Sequence, residues 1–278
     1  MYNKTDLKNK LESIHRKSYP AYKSLRGSYT FGDFVLSIDH VQGDPFAAPS
    51  SLHVELPLAK AGFPEKYFEG RHTKTALEDL ILRKFSRALD QYSVKAKGSG
   101  KSGLISTSRP GPEVMRRTAV EFTEKLLIVR FEVGFPANGR TINAQELEKI
   151  LLDFLPQIVK KCLYYQAWDK RLVQEGFELA ENQQKIREVL EERKLVAFCA
   201  NGSILPRKSG VSSQPLKDAV AFESPKSMEL AIDLPFGGSI FGMGIPEGVT
   251  LIIGGGYHGK STLLQALEQG VYNHVKGD

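Results

Sequence analysis

Val249-Thr-Leu-Ile-Ile253, then Gly254-Gly255-Gly256-Tyr257-His258-Gly259-Lys260-Ser261, then Thr262-Leu-Leu-Gln-Ala-Leu267 form the stretch whose reading decides the fold. The apolar, β-branched run predicts a strand, the glycine-rich run a tight loop, and the residues after it a helix opening. The middle segment matches G-x-x-x-x-G-K-[ST], the phosphate-binding loop. Its glycines let the backbone curl so that successive N–H groups point inward at phosphate oxygens. Lys260 is then the side chain that reaches the β- and γ-phosphates, and the hydroxyl of Ser261 is the expected Mg²⁺ ligand. The helix that follows points its positive end at the same anion. With glycine at about 7% of residues, the bare pattern arises by accident in roughly one chain of this length in a hundred. Strand, loop and helix in that order make accident rarer still. His258 sits inside the loop, and its ring is expected to turn away from the phosphates rather than to hold a metal.

Outward from this stretch, the chain has 278 residues, 41% hydrophobic and 25% charged, which is ordinary for a globular protein. No apolar run approaches the roughly 18 residues of a membrane span. The opening is too polar for a secretion signal. The two cysteines, Cys162 and Cys199, lie in apolar surroundings without metal spacing, which fits a reduced, cytoplasmic compartment. Lys plus Arg number 38 against 32 Asp plus Glu, a net charge of +6. That excess is weak support for a polyanionic partner.

Upstream, Leu7, Leu11 and Ile14 stand at i, i+4 and i+7 and predict an amphipathic helix over 3–18. Alternation predicts strands at 33–39, 52–56, 104–107, and a hairpin of 118–123 with 126–133. Thr75-Ala-Leu-Glu78 reads as a capping box opening a helix. Asn143 opens another, which Pro156 kinks or restarts and which resumes to about residue 194. Trp168 and the pair Tyr164-Tyr165 fall in this helical pattern and are expected in the core. Further short strands are expected at 195–200, 228–232 and 239–243. The composition shift divides the chain into 1–200, a linker or loop at 201–226, and 227–278.

Gly98-Ser-Gly-Lys101-Ser-Gly103 imitates the phosphate loop, but Lys95 stands where its first glycine belongs, and a helix precedes it. It is not a second nucleotide loop. Lys95, Lys97, Lys101, Arg109, Arg116 and Arg117 nevertheless surround it, with Glu113 the only acid from 95 to 117. A flexible basic loop of this kind suits a nucleic-acid backbone, and equally suits a solvated surface. Arg207 and Lys208 are weaker phosphate candidates, favoured as surface residues. Phe236 is a candidate for stacking on adenine, from its distance upstream of the loop alone.

The run from Gly242 to Leu267, with Ala197-Phe198, Asn201-Gly-Ser-Ile-Leu-Pro-Arg207 and Ser209-Gly210, resembles the predicted ATPases of the ABC class, a family distinct from transporters. Gly100-Lys-Ser-Gly-Leu-Ile105 and Pro136-Ala-Asn-Gly-Arg140 resemble that family's N-terminal domain. The resemblance implies an α/β protein: a mixed α+β N-terminal domain, then the opening strands, P-loop and first helix of an ABC-type P-loop NTPase domain. Gly254, Gly259, Lys260, Ser261 and Thr262 match the family's nucleotide loop, which implies ATP and Mg²⁺ as ligands, a hydrolase activity, and pairing of two copies through ATPase domains. The family's acidic strand end and signature loop have no counterpart here. The chain therefore reads as the front of a larger ATPase domain that does not turn over ATP alone. A similar kinetoplastid RNA-editing factor implies coupling of nucleotide binding to single-stranded RNA. A nucleotide-gated protein–protein adaptor is the alternative; a kinase of small substrates is the least supported.

Overall fold

The computed structural model describes residues 2–93 and 98–278. The chain packs into two compact units, one of residues 1–69, 77–110 and 116–173, the other of 70–76, 111–115 and 174–278.

In the first unit, β1 (Tyr2–Asn3) leads directly into α1 (Lys4–Ile14). Asn3 caps that helix by accepting from the Asp6 N–H while its own N–H donates to the Asp6 carboxylate, so two otherwise orphaned donors satisfy each other's partners. The sheet continues with β2 (Gly27–Phe31), β3 (Phe34–His40) and β4 (Ser50–Pro57). The helix α2 (Arg71–Ser93) begins before this unit's second stretch, and β5 (Ile105–Ser106), β6 (Val120–Phe122) and β7 (Leu126–Val133) complete the sheet. The order is β1-β2-β3-β4-β7-β5, with β6 sharing the outer edge of β7. Among the described residues, β1–β2 is the one parallel pair of this sheet.

Register explains the core. Leu36 opposes Val54, Val54 opposes Val129, and Val129 opposes Val120, and all four are buried. Because side chains alternate along a strand, this alignment puts one whole apolar row on one face. Leu7, Leu11 and Ile14 of α1 and Leu77, Ile81, Phe85 and Leu89 of α2 are buried with it, and Phe85 meets Phe131 ring to ring at 5.8 Å. The opposite face is polar: Ser28 and Ser37 share a hydrogen bond of 2.9 Å, and His53 stands between Asp39 and Glu55. A helical path from Ala144 to α3 (Leu155–Leu163) widens into a π-turn over Lys149–Phe154. Pro156 has no N–H to give to the preceding turn, and the wider turn accommodates that loss.

The second unit holds most of α4 (Lys170–Glu192) and a three-stranded antiparallel sheet of β8 (Leu195–Ala200), β9 (Glu229–Asp233) and β10 (Ser239–Pro246), in the order β8-β10-β9. Cys199, Met243 and Ile245 form its core, with Leu205, Phe222, Met228, Leu263 and Leu267 against them. The last two come from α5 (Lys260–Gln269), so the helix after the glycine-rich loop docks on this sheet.

Several expectations change. The helix expected from Thr75 begins at Arg71. Thr75 lies inside it, with its hydroxyl donating back to the Arg71 carbonyl, and Glu78 is buried and accepts the Phe122 N–H at 2.9 Å. Val249 to Ile253 is not a strand: Val249, Leu251 and Ile253 are 104%, 82% and 78% exposed. A buried parallel strand needs neighbours on its edges and cover on its faces, and no described strand pairs with this one. The helical path breaks at 164–169, leaving Tyr164 and Tyr165 half-buried, while Trp168 is buried and donates to the Cys162 carbonyl. β8 pairs along β10 from Ala197↔Ile245 to Ala200↔Gly242.

Candidate functional site

The loop at 254–261 is built to leave its backbone donors open. Gly259 takes a left-handed conformation at φ +80 and ends the loop as the N-cap of α5, and it supplies no side-chain cap. The first turn of any helix has N–H groups without intrahelical acceptors. Here, among the described residues, neither backbone nor side chain meets the N–H groups of Gly256 through Thr262. Tyr257 also holds a positive φ of 63 and is fully exposed. A non-glycine residue in that region stores strain, which functional loops tolerate more than structural ones.

Within the loop, the Gly255 N–H donates to Nδ1 of His258 at 3.2 Å. The His258 ring therefore lies over Gly254 and Gly255 and shapes the loop itself. Lys260 turns back to donate from Nζ to the Gly255 carbonyl. It has no carboxylate partner among the described residues. An ammonium resting on a neutral carbonyl gives up little when an anion enters. Ser261 is exposed at the head of α5, and Thr262 is half-buried beside it. Open N–H groups, a lysine without an acid and a hydroxyl at the helix head together fit a polyphosphate with its Mg²⁺. Phe236 is engaged elsewhere: its N–H donates to Asn182 and its ring meets Phe177 edge-on at 5.9 Å.

Of the basic cluster at 95–117, Lys95 and Lys97 lie outside the described residues. Arg109 is ion-paired with Asp90 and Arg116 with Glu121. Arg117 is mostly buried and bonds the carboxylate of Asp79 at 2.8 Å, which Arg83 holds from the other side. Burial pushes that carboxyl above the usual carboxylate range, against the pull of the two guanidinium groups. Arg117 is thus a structural partner. The loop around Lys101 is not the flexible strap its composition suggests, because its N–H groups are already taken: Ser99 by Ala137, Lys101 by Pro45, Gly103 by Gly134. Lys101 itself is exposed. Arg207 forms a two-pronged bridge to Asp278 at 2.9 and 3.1 Å.

The family description "ATPase of the ABC class N-terminal" matches residues 4–166, and a P-loop domain of the ABC ATPase type matches 169–278. The chain belongs to the ABC-class ATPase family. A relative from Methanocaldococcus jannaschii, named only as the uncharacterized protein MJ1628, is 35% identical over 105 residues. That alignment covers 35% of this chain and 23% of the relative's length. Membership supports nucleotide binding for this ABC-class chain. No described helix is long and apolar enough to cross a membrane. Among the described residues no His, Cys, Asp and Glu side chains cluster as a metal site.

Proposed function

We propose that this ABC-class chain binds a nucleoside triphosphate, ATP with Mg²⁺, through Gly254, Gly255, Gly256, Tyr257, His258, Gly259, Lys260, Ser261 and Thr262. The observation that carries the reading is the head of α5, where, among the described residues, seven consecutive N–H groups from Gly256 to Thr262 face no acceptor beside a lysine without an acid. With nucleotide bound, Lys260 would exchange the Gly255 carbonyl for phosphate oxygens. The Ser261 hydroxyl would hold the cation, which would supply charge neutralisation for the phosphates. His258 keeps Gly255 in place from inside the loop.

The proposal is binding. Turnover needs an acidic Mg²⁺ ligand and a group that orients water, and no described acidic side chain meets Lys260 or Ser261. Coupling to single-stranded RNA draws no support from Arg109, Arg116 and Arg117, whose charges are met within the fold. The test is titration of a fluorescent ATP analogue with and without Mg²⁺. The parent chain binds and Lys260→Ala loses at least about tenfold in affinity, the loss of one charge-assisted contact. Equal binding by both would overturn the assignment.

A further inference from the structure

We propose that a cleft between α4, the edge strand β8 and α5 binds a small carboxylic acid with an apolar body, its carboxylate on the guanidinium of Arg187 and its chain against the aliphatic side chains around it. No residue from Gly254 to Thr262 lines this cleft, so the site is separate from the nucleotide loop and does not rest on it.

The cleft measures about 480 Å³, and every residue that lines it belongs to the second unit. A volume of that order takes a ligand of drug size or smaller. Its apolar wall is Ile186 and Leu190 of α4, Val196 and Phe198 of β8, and Leu263 and Leu267 of α5. Helical spacing explains the two helix walls. Residues 186 and 190 stand four apart on α4, as 263 and 267 do on α5, so each helix turns one stripe inward. β8 is an edge strand that pairs with β10 alone among the described strands. No further strand therefore fills the space beside it. None of these six side chains is fully buried, and Val196 is 61% exposed. An apolar chain lying over them removes that surface from water, which favours binding.

The polar end is built from the same face of α4, on which Gln183 and Arg187 alternate with Ile186 and Leu190 at i, i+3, i+4 and i+7. Gln183 donates to the His274 carbonyl at 2.9 Å. Arg187 donates from Nε to Oδ1 of Asn273 at 2.8 Å and from Nη2 to the Gly270 carbonyl at 3.3 Å. Asn273 and His274 are held in turn by antiparallel pairing with Val114 and Glu113. The guanidinium is thus fixed by two neutral oxygens. No carboxylate meets it among the described residues, and its Nη1 makes no hydrogen bond there. The other cationic side chains at the cleft are satisfied: Arg207 and His274 both meet the carboxylate of Asp278. Burial draws the Arg187 pKa below its ordinary value, and no acid pulls it back. A half-buried cation without a counter-charge is costly to the fold. A carboxylate supplies the missing charge and acceptors in the plane of the guanidinium fork. A single unmet cation beside an apolar wall suits one carboxylate on an apolar chain.

The experiment is isothermal titration calorimetry of the full chain with octanoate and with octanol, the same chain without the charge. The parent binds octanoate and binds octanol at least about tenfold more weakly, the effect of one charge-assisted contact. Arg187→Gln lowers octanoate affinity to that of octanol and leaves octanol binding as in the parent, whereas Arg187→Lys keeps the preference for the acid. Gly270 is the C-cap of α5, so Arg187 also steadies that helix end. Loss of that role alone would weaken both ligands alike and leave the preference intact. Ala266→Phe sets a ring into the cleft from α5 and removes binding of both ligands. Thermal melts accompany every variant, and Ala266→Phe decides the matter if Arg187→Gln fails to fold. Lys260→Ala binds octanoate as the parent does. The proposal is overturned if octanoate does not bind, if octanol binds equally well, or if Arg187→Gln keeps the preference. It is overturned also if Ala266→Phe binds octanoate as the parent does, or if Lys260→Ala removes that binding, which would put octanoate in the nucleotide loop.

Discussion

Gly100-Lys101-Ser102 and Gly259-Lys260-Ser261 are the same three residues in two glycine-rich loops, and the fold uses them in opposite ways. In the first, the N–H groups of Ser99, Lys101 and Gly103 donate to carbonyls of neighbouring loops. In the second, the N–H groups from Gly256 to Thr262 meet no acceptor among the described residues. The glycines differ in the same sense. Gly100 and Gly134 are there because a carbonyl occupies the place of a Cβ, whereas Gly256 and Gly259 have nothing within 4 Å. A glycine can admit a close neighbour or leave a donor open. Which it does depends on whether a carbonyl from elsewhere in the chain arrives.

The widest separation between the loops is in stability. Gly134→Ala forces the Lys101 carbonyl out of its bond and costs about 3 kcal/mol or more, at the upper end of overpacking costs. Gly256→Ala stays within about 0.5 kcal/mol. Thermal melts of the two variants side by side measure the contrast, and equal shifts would erase it. Next is ligand response. Lys260→Ala loses nucleotide binding by about tenfold or more, while Lys101→Ala leaves nucleotide affinity as in the parent, read by the same titration. The serines follow. Ser102→Ala removes an acceptor for the Ala137 N–H and a donor to the Ser99 carbonyl, costing about 1–2 kcal/mol. Ser261→Ala leaves the melt unchanged and removes the Mg²⁺ dependence of nucleotide binding.

The smallest effect compares one cysteine from each unit. Burial pushes the thiols of both Cys162 and Cys199 up to about 11. Both are unreactive toward a disulfide reagent at pH 8 in the folded chain and react on denaturation. Since the folded pKa lies above the unfolded value near 9, the contribution of these groups is fully present below pH 9. It is lost as pH rises from 9 through 11. A melt series across that window registers the decline, and flat melts would show that neither thiol stays protonated in the fold.

Where local pattern is also the tertiary pattern, the sequence was legible. Leu7, Leu11 and Ile14 predict the buried side of α1, and the alternation at 126–133 predicts β7 with Leu127, Val129, Phe131 and Val133 inward. The loop at 254–261 is readable because its chemistry is carried by backbone and four consecutive residue types. The rest depended on distant partners. Thr75 and Glu78 have capping-box spacing, yet Glu78 is claimed by the Phe122 N–H far along the chain. β2 (Gly27–Phe31) is not among the expected strands, although Ser28 and Thr30 alternate with Tyr29 and Phe31; the run is only five residues, and its register comes from pairing with β3. Val249 to Ile253 has a strand's composition without a strand's neighbours. The ion pairs of Arg109, Arg116 and Arg117 with Asp90, Glu121 and Asp79 are invisible in a linear count of basic residues.

The interlocking of the loops also bears on the chain as a protease substrate. A protease must thread an extended stretch of backbone through its active site, so a cut needs local opening rather than mere exposure. Lys101 and Arg140 are surface residues in glycine- and serine-rich sequence, the composition at which trypsin usually enters. Opening at Lys101 means breaking the bonds of Lys101, Ser99 and Gly103 to Pro45, Ala137 and Gly134, and opening at Arg140 means breaking the bond its carbonyl accepts from the Tyr19 N–H. Brief digestion therefore spares both sites, and cleavage at Lys101 times the release of its loop from Pro45, Ala137 and Gly134.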